Sequence, residues 1–200
     1  MTNSFSQLGL AQPVLKAIEA LNYAEPTPIQ QKAIPELLAG RDVLAAAQTG
    51  TGKTAAFALP VITRMLEHPK PRSSKRVRAL ILAPTRELAA QIDENIRAYA
   101  AGTMLTTALV FGGVNMKPQI DALAAGADFL VATPGRLLDH LGQQNVELDA
   151  VEFFVLDEAD RMLDMGFIHD IKKIVKRLPA KRQTLMFSAT FNDEIRTLAQ

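Results

Sequence analysis

Six short runs of β-forming apolar residues recur along this chain, separated by stretches of helical periodicity, and that alternation narrows its fold more than any other feature. The runs are DVLAAA (42–47), RALILAP (78–84), TTALVFGG (106–113), DFLVATP (128–134), VEFFVLD (151–157) and QTLMFSA (183–189). Strand, helix, strand is the rhythm of an α/β protein with a mostly parallel sheet and helices on both faces, because parallel strands need long crossover connections. In TRELAAQIDENIRAYAA the residues Leu88, Ile92, Ile96 and Tyr99 repeat at helical spacing; in FIHDIKKIVKRL, Ile168, Ile171, Ile174, Val175 and Leu178 do the same. QPVLKAIEALNY and IQQKAIPELLAG read as two more helices capping the sheet, the second stopping at Gly40. The basic, proline-rich HPKPRSSKR (68–76) has no periodicity and is expected to be disordered. An N-terminal helical segment (1–40) is thus followed by one sheet domain (41–200).

Composition excludes several functions. Lys and Arg total 22 against 21 Asp and Glu, a net charge of +1, so any nucleic-acid contact must come from a local surface. The absence of cysteine rules out disulfides and thiolate metal sites, and His68, His140 and His169 lack ligand spacing. The opening MTNSFSQLGL has neither the basic start nor the apolar stretch of a secretory signal, and no run approaches the ~20 apolar residues of a membrane span. A cytoplasmic protein without membrane contact is expected. Met162, Met165 and Met186 read as core filler, and the lysines of KKIVKR (172–177) and KPRSSKR (70–76) as solvated charge.

The polar clusters fall where the strands end, the edge at which open parallel sheets bind ligands. AQTGTGKT (47–54) nearly spells the phosphate loop G-x-x-x-x-G-K-[ST], with Ala47 in place of the first glycine. Gly50 and Gly52 let backbone amides turn toward phosphates, Lys53 reaches the outer phosphates, and the Thr54 hydroxyl can hold magnesium. Ala47 is compatible if its backbone stays extended as the strand exits. The alternative is a glycine-rich turn with an incidental lysine. In VLDEAD an apolar strand delivers two adjacent carboxylates, Asp157 to position hydrated magnesium and Glu158 to deprotonate an attacking water. Acids favoured by a helix N-terminus are the alternative. Loop and acid pair together point to splitting of a nucleoside triphosphate.

The order and spacing of AQTGTGKT, PTREL, Gly112–Gly113, TPGR, DEAD and SAT, with PTPIQ ahead of them, resemble the DEAD-box RNA helicases over the whole chain. That family's phosphate loop itself begins with alanine. MLDMGFIHDIKKIVKRLPAKRQTLMFSAT further resembles the bacterial RhlE group of small helicases. The resemblance implies a RecA-like P-loop fold, ATP and Mg2+ as ligands, and a loop of Ala47, Gln48, Thr49, Gly50, Thr51, Gly52, Lys53 and Thr54 around the phosphates. Lys53, Asp157 and Glu158 are the implied catalytic residues, and Thr54 and Asp157 the implied metal contacts, partly through water. Gln30 would read adenine, since an amide both donates and accepts, with Tyr23 stacked on the base and Phe5 behind it. Without PTPIQ, Gln30 reads as a solvated residue opening a helix.

Pro84, Thr85 and Arg86, Gly112 and Gly113, and Thr133, Pro134, Gly135 and Arg136 would form an RNA face gripping the sugar-phosphate backbone irrespective of sequence. Taken singly each is a turn, and TPGR a helix start with proline near its first position. Ser188 and Thr190 would bond toward Asp160 and couple hydrolysis to RNA strain; the alternative is a cap on the helix opening near Asn192. The family's enzyme has two RecA-like lobes, and the chain carries motifs of the first only. Its implied partners are RNA and that second lobe; RNP or RNA-decay partners are not specified. Alone it is expected not to unwind and to hydrolyse little, lacking an arginine whose loss typically removes ~10³ to 10⁵ in rate. A stand-alone nucleotide-binding module and a DNA motor are the rival readings.

Overall fold

Each apolar run contributes one strand: β1 (Val43–Ala46), β2 (Ala79–Leu82), β3 (Thr107–Val110), β4 (Phe129–Ala132), β5 (Phe153–Asp157) and β6 (Gln183–Ser188). In this computed structural model, which describes residues 4–47 and 52–198, they form a single sheet in the order β1-β6-β5-β2-β4-β3 with every pair parallel. The polar ends of the runs leave the ladder, so all six carboxyl ends present turns at one edge.

Side chains alternate across a strand, and the central strands β6, β5, β2 and β4 are buried on both faces, which is why their runs read as continuous rather than alternating, while the edge strands β1 and β3 stay partly exposed. Ala79, Ile81, Phe129, Val131, Phe153, Val155, Leu185 and Phe187 enter one core with α1 (Gln12–Ala20), α2 (Pro28–Leu38), α3 (Lys53–Glu67) and α4 (Arg86–Tyr99). Leu80, Leu82, Leu130, Phe154, Leu156 and Met186 enter the other with α5 (Lys117–Ala125), α6 (Pro134–Gly142), α7 (Ala159–Asp164), α8 (Ile168–Val175) and α9 (Asp193–Leu198). Phe187 on β6 packs against Phe57 of α3 with ring centroids 5.8 Å apart. Truncating such a fully buried phenylalanine to alanine costs about 3–5 kcal/mol.

Residues 4–40 do not stand apart from the sheet. Phe5, Leu8 and Leu10 join the same core as α3, and the buried Thr63 hydroxyl donates to Leu59 O while accepting from Ala11 N at 3.1 Å. Gly40, with φ +85°, ends the turn after α2, as a left-handed helix stop requires.

Two expectations change. The 68–76 stretch is tied down by main-chain pairing that periodicity cannot register: Lys75 N donates to Leu123 O at 2.9 Å and Glu147 N to Lys75 O at 2.7 Å. Gly126 makes room for it, because at its φ of +86° a Cβ would lie 2.9 Å from Arg72 Cγ and from Ser73 O. Met165, expected in the core, is exposed because it caps the C-terminus of α7, whereas Met162 and Met186 are fully buried.

Candidate functional site

Strand order sorts the polar clusters into two neighbouring groups. The phosphate loop, DEAD and SAT follow β1, β5 and β6, which are adjacent in the sheet; PTR, Gly112–Gly113 and TPGR follow β2, β3 and β4, which are adjacent on the other side. The seam between the groups is the β5–β2 ladder, Phe153–Leu156 against Ala79–Leu82.

Ala47 remains extended at the mouth of the phosphate loop, its N–H donating to Ser188 O at 3.0 Å in continuation of the ladder. Gln48, Thr49, Gly50 and Thr51 lie outside the described residues. Gly52 has φ +100°, and a Cβ there would sit 2.9 Å from Thr27 Oγ1, so two independent constraints select glycine. Lys53 and Asp157, 104 residues apart, form a buried ion pair, Nζ to Oδ1 at 2.9 Å. Burial pushes the Asp157 carboxyl up from its usual range, opposed by the Lys53 ammonium and by the backbone N–H of Glu158. Its second oxygen, Oδ2, is buried without a hydrogen-bond partner among the described residues. An anionic oxygen left bare in this way fits a site that receives a hydrated cation. No cluster of three His, Asp or Glu suited to a metal occurs among the described residues, so such a cation would depend on Asp157, the Thr54 hydroxyl and the ligand's own oxygens.

Glu158 takes a left-handed backbone, φ 54° and ψ 53°, at the N-terminus of α7. A non-glycine residue held there carries strain of order 1 kcal/mol, and the result is that Asp157 and Glu158 both line one cleft. That cleft, of about 540 Å3, is also walled by Lys53, Thr54, Tyr23 and Tyr99. The α4 wall adds Leu88, Gln91 and Asn95, which with Tyr99 recur at helical spacing; the sequence reading took this helix only for its buried stripe. Arg161, just beyond DEAD, lines the cleft as well and was not singled out from sequence.

Gln30 is 3% exposed and does not line the cleft among the described residues. Its Oε1 accepts from Thr27 N at 3.0 Å, closing a capping box on α2, and its Nε2 donates to Gly52 O at 3.2 Å. Each amide atom keeps one further bonding capacity. Tyr23 lies with its ring centroid 6.5 Å from Phe5 and 6.0 Å from Tyr99, and the two tyrosine hydroxyls meet at 2.9 Å. Burial, then this bond, pushes the Tyr99 phenol far up, so it stays protonated.

Of the residues expected on a nucleic-acid face, Arg86 is exposed and lies over the Phe111 ring at 5.7 Å, beside Gly113. Gly112 and Gly135 have nothing within 4 Å of where a Cβ would be, so both backbones are open to a ligand. Thr85 caps α4 by accepting from Leu88 N at 3.2 Å. Pro84 and Pro134 are buried; they shape the turns and present no side-chain surface. Thr133 is the residue preceding α6, and Arg136 in its first turn is bonded to Gln119 of α5 at 3.2 Å.

Ser188 is fully buried, with its Oγ accepting from Asp160 N at 3.2 Å and donating to Thr190 O at 2.7 Å. The bond thus runs to Asp160's backbone, and Thr190 takes part through its carbonyl. The N-terminus of α9 is served instead by Asn192, whose Oδ1 accepts from Ile195 N at 3.0 Å.

A family described as DEAD/DEAH box helicase matches residues 27–198. The chain is 49% identical over 198 residues to the probable ATP-dependent RNA helicase ddx27 of Dictyostelium discoideum, covering 98% of this chain and 25% of that protein. It is 47% identical over 196 residues to the ATP-dependent RNA helicase CshA of Listeria monocytogenes, covering 98% and 37%. Its structure is similar to the crystal structure of a DEAD box protein from the hyperthermophile Methanococcus jannaschii, with a TM-score of 0.89 and 41% identity over 98% of this chain and 52% of that one. The chain therefore spans between a quarter and about half of the length of these relatives.

Proposed function

Because this chain belongs to the DEAD/DEAH box helicase family, with its RecA-like fold, we propose that it is the first lobe of an ATP-dependent RNA helicase, binding ATP-Mg2+ and the backbone of single-stranded RNA. The observation that carries the reading is the buried Lys53–Asp157 pair with its bare Oδ2, set beside Glu158 in one cleft. With nucleotide bound, Lys53 would leave Asp157 for the outer phosphates, and Thr54 with Asp157 would hold Mg2+, which would supply neutralisation of phosphate charge. Glu158 orients the attacking water and takes its proton. The strained backbone of Glu158 supports an ATPase over a pure binding module, since binding alone gives no reason to hold this carboxylate in the left-handed region.

Gln30, through the free capacity of each amide atom, reads adenine while its existing bonds register the base against Gly52. The turns after β2, β3 and β4 hold RNA through open backbone and the guanidiniums of Arg86 and Arg136, and the Ser188 bonds to Asp160 N and Thr190 O, on the phosphate side, are the proposed coupling of hydrolysis to RNA strain. The segment Met162–Thr190 supports placement in the RhlE group. A second lobe completes both the nucleotide and the RNA sites, so the lone chain hydrolyses slowly and without response to RNA. The test is steady-state ATP hydrolysis with and without saturating single-stranded RNA or DNA, before and after covalent joining of a second RecA-like lobe from the same family. Stimulation by RNA that appears on joining supports the reading. Strong stimulation of the lone chain would place the charge-stabilising arginine within it, and equal stimulation by DNA would remove the RNA assignment.

A further inference from the structure

Between the Gly112–Gly113 turn and the Thr133–Arg136 turn stands a buried glutamine that sequence motifs do not mark. Gln119 of α5 is 6% exposed. Its Nε2 donates to Phe111 O, the carbonyl just before the glycine pair, at 3.0 Å. That bond fixes which way round the amide lies, because a carbonyl can only accept. Oε1 therefore faces α6, where it accepts from Arg136 Nη1 at 3.2 Å and from His140 Nε2 at 2.8 Å. His140 is fully buried, and Asn145 Nδ2 lies 3.1 Å from its Nδ1. The carboxamide NH2 only donates, so Nδ1 accepts and the imidazole carries its proton on Nε2. Donation thus runs in one direction, from Asn145 to His140 to Gln119 to the Phe111 carbonyl, and Arg136 joins at the glutamine.

Neither near-isostere of glutamine satisfies all three bonds at this position. Glutamate keeps the acceptor for Arg136 and His140 but sets a carboxylate oxygen against the Phe111 carbonyl; methionine fills the volume and bonds neither side. Arg136 has one hydrogen bond among the described residues, that to Gln119, with Asp139 at 3.9 Å. Its side chain is 11% exposed and its Nε faces Asp139, so the N–H groups left for a ligand are those of Nη2 and the second of Nη1, while Gln119 holds the guanidinium in place relative to the glycine turn.

We propose that Gln119 is a positioning residue for RNA, locking the open Gly112–Gly113 backbone and the Arg136 guanidinium at a fixed separation so that both engage one sugar-phosphate strand. This rests on the reading of those turns as the RNA face. Gln119 touches no RNA itself and no part of the nucleotide cleft, so its loss separates the two affinities.

The experiment compares the parent chain with Gln119→Met, Gln119→Glu, Arg136→Ala and Gln119→Met combined with Arg136→Ala. Two affinities are measured for each, for a fluorescent single-stranded oligouridylate by anisotropy at several salt concentrations and for a fluorescent ADP analogue. Both Gln119 variants are expected to bind oligouridylate about tenfold more weakly, with ADP affinity unchanged within about twofold. In Gln119→Glu the new carboxylate sequesters Arg136, so the slope of log K against log salt falls by about one phosphate contact. The double variant should lose little more than Arg136→Ala alone, since Gln119 acts through that arginine. Unchanged RNA affinity in Gln119→Met and Gln119→Glu, beside a weakened Arg136→Ala, overturns the proposal and leaves the RNA face standing. Parallel loss of ADP and RNA binding in both Gln119 variants also overturns it, making Gln119 a residue of the fold as a whole. Unchanged RNA affinity in Arg136→Ala overturns the RNA face itself, and this proposal with it.

Discussion

Replacing Lys53 with methionine removes the ammonium from a pair in which both partners are almost fully buried, and the consequence for stability follows from what remains. Asp157 keeps its carboxylate, with Oδ2 already bare and Oδ1 newly so. Breaking a buried pair by deleting one partner costs about 3–5 kcal/mol. Escape by protonation is no cheaper at pH 8, because an ordinary carboxyl near 3.9 must then be held neutral across about four pH units at ~1.36 kcal/mol each. A loss of about 3 kcal/mol in the unliganded chain lowers Tm by roughly 6–12 °C at this size. The loss depends on pH with a definite sign. In the variant, burial without the ammonium leaves the folded carboxyl raised above its unfolded value, so the penalty is present above that value and fades as the pH falls toward it. Adding Asp157→Leu removes the stranded charge, and the double variant should melt within about 2 °C of the parent. Thermal melts by circular dichroism at pH 8, 6.5 and 5, without nucleotide, measure all three. A Lys53→Met chain that melts with the parent at pH 8, or whose deficit is the same at pH 5, refutes the argument that this pair is electrostatically closed.

Gln30→Ala should lower both stability, by about 1 kcal/mol through the lost cap of α2, and affinity for ADP, while weak GDP binding stays nearly constant; calorimetry with both nucleotides decides, and equal losses refute base reading. Glu158→Gln, in a form joined to a second lobe, should retain ATP and RNA and accumulate that complex without turnover, read as bound RNA persisting beside unhydrolysed ATP; hydrolysis at the parent rate would assign the water to another group. His140 is held below its usual value by burial and then by Arg136, with Asp139 opposing. The unfolded chain binds this proton more readily than the folded one, so stability should fall as pH drops below about 6.5, and urea midpoints of His140→Asn should fall less over the same range.

The central strands were legible because both their faces are buried, leaving unbroken apolar runs such as FFVL and TLMF that no surface alternation obscures. Their order was not legible: nothing in ALIL says that it lies between FFVL and FLVA, since order is decided by which crossovers pack, not by the strands. The phosphate loop, DEAD and the turns after β2, β3 and β4 stood out as polar residues ending apolar runs. Gln30 carried adenine-reading and solvated helix-start readings, yet Thr27 and Gln30 also spell a capping box as plainly as they belong to PTPIQ. Gln119 and His140 were illegible for a different reason. A polar residue on a helix is ordinarily solvated, and only the approach of α6 to α5 turns this pair inward.

The split of the sheet edge has a genetic consequence. The strands leading to the proposed RNA face, β2, β3 and β4, are consecutive in the chain, whereas those leading to the proposed nucleotide side, β1, β5 and β6, come from the two flanking portions. One uninterrupted block of coding sequence thus carries all three turns of the proposed RNA face and is exchangeable as a unit. Such an exchange also carries the α4 wall of the cleft, Leu88, Gln91, Asn95 and Tyr99, so that wall must match along with the apolar seam of Ala79–Leu82 against Phe153–Leu156 and Arg78, bonded at 2.6 Å to Glu152 on the far side of the boundary. A cassette that begins after Arg78 keeps that pair within the recipient, and what travels with it is the set of turns after β2, β3 and β4 proposed to hold RNA.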